Sequence, residues 1–502
     1  MGHRLGRALL FIGWIMVVQS LVWMADGRWA RVADPFAVAD PRRAAGGRGQ
    51  HHAASPTPSP SPIPTATPVP SPTPVPTPSP TPALPARWST PVVPRVSATF
   101  SLSGPVPTPH PALPLPPDRV NLLLLGSDRR AGQALGRTDT IIVASIDPRE
   151  PSVRLLSIPR DLWVYIPGWT YHKVNTAYVH GELVRYPGGG YGVLRDTLFY
   201  NLGLPTHGYA LVDFLGMRQL IDALGGVEVT VRCPFNETFV DPADPTITHT
   251  LSLPGPGRYR LDGNEALWYM RSRRIGGDYG RSRRQQQVLE AMWKRLKEGG
   301  WLLRVPQLWI SLRQTVQTDL GLEELAWLAS VGLRLDRSRI VHGWLHTVVS
   351  PTTSVEGLSI YVPTEKTHAY LQRFLIGPIE PPQAPAVRVE VINATGNPID
   401  GELAAEILGE AGFGVARVLE VAPDGQPTRV LALSSASDPA VRRRLLQALR
   451  LPATRVEAAP EPGAEAAYRI WLGSDFNPCR LIIRLVSDPG EHFGRGGKTE
   501  CV

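Results

Sequence analysis

The chain has 502 residues, a formal net charge of +8, 43% hydrophobic residues and three cysteines. Cys233, Cys479 and Cys501 are too few and too scattered for a cysteine zinc site or a disulfide framework. The basic balance calls for an anionic partner, which restricts the choice to nucleic acid, anionic lipid or anionic polymer.

Arg4 and Arg7 precede an apolar run from Ala8 to Ala25, ALLFIGWIMVVQSLVWMA. Its length suits the roughly 17–25 residues of a membrane-spanning helix. Positive charge ahead of it keeps residues 1–7 in the cytoplasm. Ala25-Asp26-Gly27 is a poor cleavage site, so residues 8–25 read as an uncleaved transmembrane signal anchor rather than a removed signal peptide. Both readings place the rest of the chain outside the cytoplasm, which removes nucleic acid as a partner. Residues 33–117 carry a proline, serine and threonine repeat, SPTPSPSPIPTATPVPSPTPVPTPSPTP. With few large apolar side chains to bury, this segment is expected to be a disordered, extended polyproline spacer.

Two folded domains are expected after the spacer, at 118–377 and 386–476. In the first, Val120 to Leu125, Thr138 to Ile146 and Ser152 to Ile158 are short, apolar or β-branched runs stopped by Asp147-Pro148 and Pro159, which predicts three strands. Val174 to Val184 and Val193 to Leu202 read as helices, Tyr209 to Asp213 as a strand and Phe214 to Leu224 as a helix ending at Gly225-Gly226. A strand follows at Val227 to Val231. Asp262 is positioned to cap a helix running to Met270, and a long amphipathic helix is expected from about Arg281 to Lys297. Strands mixed with helices predict an α/β sandwich on a mixed sheet. After a linker at 378–385, the pattern predicts a small βαβαβ domain, then a tail at 477–502. Cys479 and Cys501 flank that tail and are candidates to pair with one another, with free thiols the alternative.

Four blocks carry chemistry. Asp128 ends the first strand, and Arg137 and Asp139 open the second; neighbouring strands bring the two carboxylates to one space, a Mg²⁺ site when joined by phosphate oxygens. Pro159-Arg160-Asp161 ends the third strand toward the same edge. Lys173 and Asn175 follow. The fourth block, Arg271 to Gln285 (RSRRIGGDYGRSRRQ), crowds arginines around one aspartate, Asp278. Guanidinium forks suit phosphate oxygens, and a fold gains nothing from burying them unpaired. Arg271 and Arg273 alternate, while Arg281, Arg284 and Gln285 share a helix face. Arg274 and Arg283 fall outside the pattern and are expected to face solvent. No GxSxG or HExxH is present, so serine-hydrolase and zinc-protease chemistry have no support.

In order, NLLLLGSD, GRTDT, SIDP, LLSIPRD, HKVNTAY, LVDF, LIDALGGVEV, LDGNEALWYMRSRR and DYGRSRRQQQ resemble the LytR-CpsA-Psr family of cell-envelope proteins, over about Arg119 to Lys297. VRVEVINATG, LAAEILGEAGFGV and IWLGSD look like the LytR C-terminal domain often attached to it. The resemblance implies an anchored, extracytoplasmic phosphotransferase. It would move a glycopolymer from polyprenyl diphosphate to a peptidoglycan hydroxyl and leave a phosphodiester link. It implies Asp128 and Asp139 as magnesium-associated aspartates. It implies a diphosphate held by Arg137, Arg160, Lys173, Arg271, Arg273, Arg281 and Gln285, with Arg284 a further candidate. Val193, Leu194, Leu198, Phe214, Leu215 and Leu220 are candidates to line a lipid tunnel, with core packing the alternative for each, and Asp161 or Asp278 to act as general base. The alternative is a non-catalytic scaffold that binds anionic wall polymer or polyprenyl phosphate lipid through the same basic cleft.

Overall fold

The computed structural model describes residues 83–88, 105–130, 132–241, 244, 246–298, 315–377, 387–433 and 438–479. The expected membrane anchor, most of the proline-rich spacer, the 378–385 linker and the tail beyond 479 lie outside them. Among the described residues, no helix is long and apolar enough to cross a membrane.

The first domain begins with β1 (Val120–Ser127), β2 (Thr138–Asp147) and β3 (Ser152–Ser157). A small hairpin, β4 (Trp163–Tyr165) and β5 (Tyr171–Lys173), leads to α1 (Ala177–Leu183) and α2 (Gly189–Leu202). β6 (Gly208–Asp213) runs directly into α3 (Phe214–Ala223). Then come β7 (Val227–Val231), β8 (Phe235–Val240), β9 (Thr248–Leu253), β10 (Gly257–Leu261), α4 (Gly263–Arg271) and α5 (Gly277–Lys297). β11 (Val316–Thr318), α6 (Leu322–Arg334), β12 (Ile340–Trp344), β13 (Val349–Thr353), β14 (Ser359–Pro363) and α7 (Glu365–Ile376) complete it.

The central sheet has six strands in the order β11-β6-β1-β2-β3-β12. β1 pairs antiparallel with β2 and parallel with β6, and β3 pairs parallel with β12, so the sheet is mixed as expected. Side chains on a strand alternate between faces. Leu123, Leu125, Ile141, Val143 and Leu156 therefore pack with Val193, Leu194 and Leu198 of α2 and Leu371 and Leu375 of α7. Ile142, Ala144 and Leu155 face the other way, with Leu124 and with Leu289 of α5. The sequence leaves α6, α7 and several hairpins unmarked; in the hairpins, short strands alternate with exposed polar residues.

Two helix boundaries differ from expectation. α2 starts at Gly189, four residues before the expected Val193, with Gly188 at its entry. α5 starts at Gly277, four residues before Arg281, because Gly276 takes φ +76° and turns the chain into the helix. Asp262 caps α4 in a capping box with Glu265, as its sequence predicts.

Part of the expected spacer is folded. Trp88 is 3% exposed, meets Trp327 of α6 edge-on at 5.3 Å and donates its indole N–H to the His207 carbonyl. Further on, Leu113 enters the main core and His110 stacks on His368. A boundary at 118 thus cuts through packed chain.

The second domain holds β15 (Arg388–Asn393), α8 (Pro398–Glu410), β16 (Gly414–Glu420), β17 (Arg429–Ala432), α9 (Pro439–Leu449), β18 (Val456–Ala458) and β19 (Tyr468–Leu472). Its sheet has five strands, β16-β15-β19-β17-β18, not the three of a βαβαβ unit. The two missed strands, β16 and β18, are the edges; most of their residues are exposed, so no buried stripe announces them. Cys479 bonds to Cys233 of the first domain, not to Cys501. Beside that bridge, the buried Arg232 pairs with Glu406 of α8 at 2.7 Å. Arg283, expected to face solvent, lies 3.8 Å from the same Glu406.

Candidate active-site cleft

Strand direction gathers the chemistry at one edge. β1, β3, β6 and β12 end there and β2 begins there, so the segments after Ser127, Ser157, Asp213 and Trp344 and the start of β2 all meet. Loops at strand ends of such a sheet are where ligands bind. β1 and β2 slip register at Gly126/Ser127, and the Arg137 backbone N–H donates to Asp128 at 2.7 Å. Asp139 accepts from Asn175 at 2.9 Å and from Arg160. Arg160 also lies 3.5 Å from Asp161, whose carboxylate takes the Lys173 ammonium at 2.8 Å. The β4–β5 hairpin makes that last contact by pairing Trp163 with Lys173.

Behind this edge lies a cavity of about 610 Å³, between the central sheet and α3, α4 and α5. Its polar mouth presents Asp128, Arg130, Asp139, Arg271, Arg273, Arg281 and Gln285. Its interior presents Leu124, Ile142, Phe214, Met217, Leu220, Phe239, Met270, Leu289 and Met292. Arg281, Gln285 and Leu289 recur every fourth residue, so one face of α5 passes from charged mouth to apolar interior.

The electrostatics match an anion site. Burial and the charge of Asp139 raise the Asp128 carboxyl above its ordinary value. Burial lowers the Arg281 guanidinium to about 10, and burial with the repulsion of Arg130 lowers Arg271. Burial weakens Arg160 as well, but the charges of Asp139, Asp161 and Asp278 outweigh it and hold Arg160 up. Arg271 Nη1 and Arg281 Nε are buried with no hydrogen-bond partner. A buried cationic donor left unmet is costly, which marks a place for an anion.

Asp278 opens α5 and is the hub of the arginine block. Its carboxylate lies 2.8 Å from Arg281, 3.6 Å from Arg273 and 3.0 Å from His346. Burial pushes its carboxyl up, but the His346 hydrogen bond and the charges of Arg281, His346 and Arg273 win and bring it to about 2. The folded value lies below the unfolded one. The resulting stabilisation, on the order of 2 kcal/mol, is present above pH 4 and lost as pH falls from 4 through about 2. Acid unfolding of wild type beside Asp278→Asn checks this. The wild-type advantage at pH 7 should be gone by pH 2; an advantage that persists there refutes the assignment.

Several expected residues lie elsewhere. Arg284 is buried and donates to the backbone carbonyls of Tyr269, Ile275 and Ser272, so it ties the α4–α5 turn and does not line the cavity. Val193, Leu194 and Leu198 pack in the core on the opposite sheet face, and Leu215 does not line the cavity, whereas Phe214 and Leu220 do. Arg137 is exposed beside Asp128. The sequence reading missed Arg130, Met217, Met270, Leu289 and His346. Leu289 was recoverable from its spacing to Arg281 and Gln285; His346 sits in a region with no motif.

Residues 103–375 match the family model described as the LytR_cpsA_psr family, and residues 386–476 that of the LytR cell envelope-related transcriptional attenuator. The polyisoprenyl-teichoic acid–peptidoglycan teichoic acid transferase TagU of Oceanobacillus iheyensis is 36% identical over 213 residues, 42% of this chain and 62% of that protein. The regulatory protein MsrR of Staphylococcus aureus is 34% identical over 205 residues, 40% of this chain and 57% of that protein. The chain thus spans about three fifths of the length of these relatives. The crystal structure of B. subtilis TagV aligns at 27% identity with a TM-score of 0.42, over 52% of this chain and 98% of that one.

Proposed function

Because the chain belongs to the LytR-CpsA-Psr family, we propose that its cleft transfers a glycopolymer from a polyprenyl diphosphate to a hydroxyl of peptidoglycan, leaving a phosphodiester link. One observation carries this reading: paired carboxylates and Arg271, Arg273, Arg281 and Gln285 meet at the mouth of an apolar cavity. A prenyl tail suits the interior and a diphosphate suits the mouth. The name of the TagU relative, a polyisoprenyl-teichoic acid transferase, points the same way.

Phosphoryl transfer requires neutralised charge on the transferred group and a placed nucleophile. Arg271, Arg273 and Arg281 neutralise the phosphates, and the partial burial of Arg271 and Arg281 strengthens their contacts. Asp128 and Asp139 fit Mg²⁺: Asp139's charge is felt by Asp128, both line the mouth, and phosphate oxygens would complete a set of hard ligands. Bound Mg²⁺ would add positive charge at the bridging oxygens. Of the two candidate bases, Asp278 at about 2 is a poor proton acceptor. Asp161 is better placed, and its contacts with Lys173 and Arg160 would steady it beside the acceptor hydroxyl.

The site is proposed to work outside the membrane, tethered by the residue 8–25 anchor. The Cys233–Cys479 bridge fits an oxidising compartment. Released prenyl monophosphate from a synthetic prenyl diphosphate-linked glycan tests the reaction. Leu289→Trp, which fills the cavity wall, should weaken binding of a long-chain prenyl diphosphate by about tenfold, near 1.4 kcal/mol, and leave a short-chain one less affected. Equal loss for both chain lengths would remove the tail from the cavity.

A further inference from the structure

His346 lies in the single turn after β12 (Leu345–Thr347), and its side chain is 4% exposed. Two aromatic rings box the imidazole: Tyr361 edge-on at 5.7 Å and Tyr279 at 6.5 Å. Tyr361 in turn donates its backbone N–H to the Asp161 carbonyl at 3.0 Å. The ring is therefore fixed between the candidate base and the arginine block. Nε2 stands 3.0 Å from Asp278 Oδ2, while Nδ1 is buried with no partner. Beside an ionised carboxylate, Nε2 carries a proton and donates it to Asp278. A ring nitrogen buried without a partner is costly. An apolar side chain would avoid that cost but could not serve Asp278.

Asp278 divides its two oxygens. Oδ2 takes His346, and Oδ1 takes Arg281 Nη2 at 2.8 Å with Arg273 Nε at 3.6 Å. Remove the imidazole and Oδ2 becomes a buried charge with no donor. The carboxylate then has to turn, and the arginines that satisfy it are drawn off the cavity mouth. We infer that His346 is a positioning residue, acting through Asp278 to hold Arg281 and Arg273 where a diphosphate binds. It does not reach the reacting atoms itself. This inference rests on the diphosphate role proposed above for those arginines.

The test uses the purified full chain and farnesyl diphosphate with Mg²⁺, followed by calorimetric titration and thermal unfolding. His346→Ala should weaken binding by about tenfold. His346→Gln, whose amide N–H can take the place of Nε2–H, should return affinity to within about threefold of wild type. Farnesol, which lacks the diphosphate, should bind all forms alike. Arg281→Ala serves as reference and should bind the diphosphate poorly. A weakened Arg281→Ala beside an unchanged His346→Ala overturns the inference alone. So does a His346→Gln as weak as His346→Ala, since packing rather than the hydrogen bond would then be at stake. An unchanged Arg281→Ala overturns the diphosphate reading and this inference with it.

Discussion

Replacing Arg271 and Arg273 together with alanine is expected to lower turnover of a prenyl diphosphate-linked substrate by about 10³-fold or more, with the fold retained. The two arginines line the mouth of the cavity yet differ in their supports. Arg271 ends α4 with its guanidinium over the Phe214 ring at 4.5 Å, and one of its nitrogens is buried without a partner. Arg273 is more exposed and is held by Asp278 at 3.6 Å. Among the described residues, Arg271 makes no ion pair and Arg273 only the one with Asp278. Removing them relieves repulsion within the arginine block, so stability should hold or rise slightly. Activity should collapse, because phosphoryl transfer depends on charge neutralised in a site shielded from water. Single-turnover rates and circular dichroism of the double variant decide the matter. A folded variant with undiminished turnover would end the assignment of the arginine block to the diphosphate.

That block was legible because charge of one sign at such density has few structural uses. Asp128 and Asp139 were legible for a related reason: they bracket two strands whose boundaries the hydrophobic runs define. Direction was harder. Arg284 shares spacing with Arg281 and Gln285, but α5 begins four residues earlier than its hydrophobic pattern suggests. That places Arg284 toward the α4–α5 turn, where three carbonyls need a donor. Phe214 and Leu220 of α3 line the cavity while the α2 candidates do not, a difference hidden because α2 and α3 look equally apolar in sequence. Only sheet topology decides that α2 covers the packed face and α3 the hollow one. His346 could not be read at all: a lone histidine acquires meaning from Asp278, and the two are brought together by the pairing of β12 with β3.

Removal of the Cys233–Cys479 bridge, by replacing both residues with serine, is expected to cost about 2–4 kcal/mol of stability and to split one unfolding transition into two. The bridge closes a loop of 246 residues and joins the end of the second domain to the connection between β7 and β8. Long loops lose the most entropy when they are closed in the unfolded chain, which favours a large effect. Among the described residues, hydrogen bonds and ion pairs also join the domains. Arg232 pairs with Glu406, Arg258 with Glu402, and Asn397 donates to the Pro256 carbonyl. Two of these involve glutamates more than half exposed, and exposed pairs contribute about 0–1 kcal/mol each. Without the bridge the second domain should therefore unfold separately, each domain keeping its own core. Scanning calorimetry of the double variant, beside wild type with and without reductant, reads this directly. One transition at an unchanged midpoint would mean that the polar contacts alone hold the domains together. The cleft faces α3, α4 and the inner face of α5, whereas Arg283 and Glu406 meet on another face of α5. Farnesyl diphosphate affinity should consequently survive loss of the bridge, which separates the second domain's role in stability from the chemistry of the first.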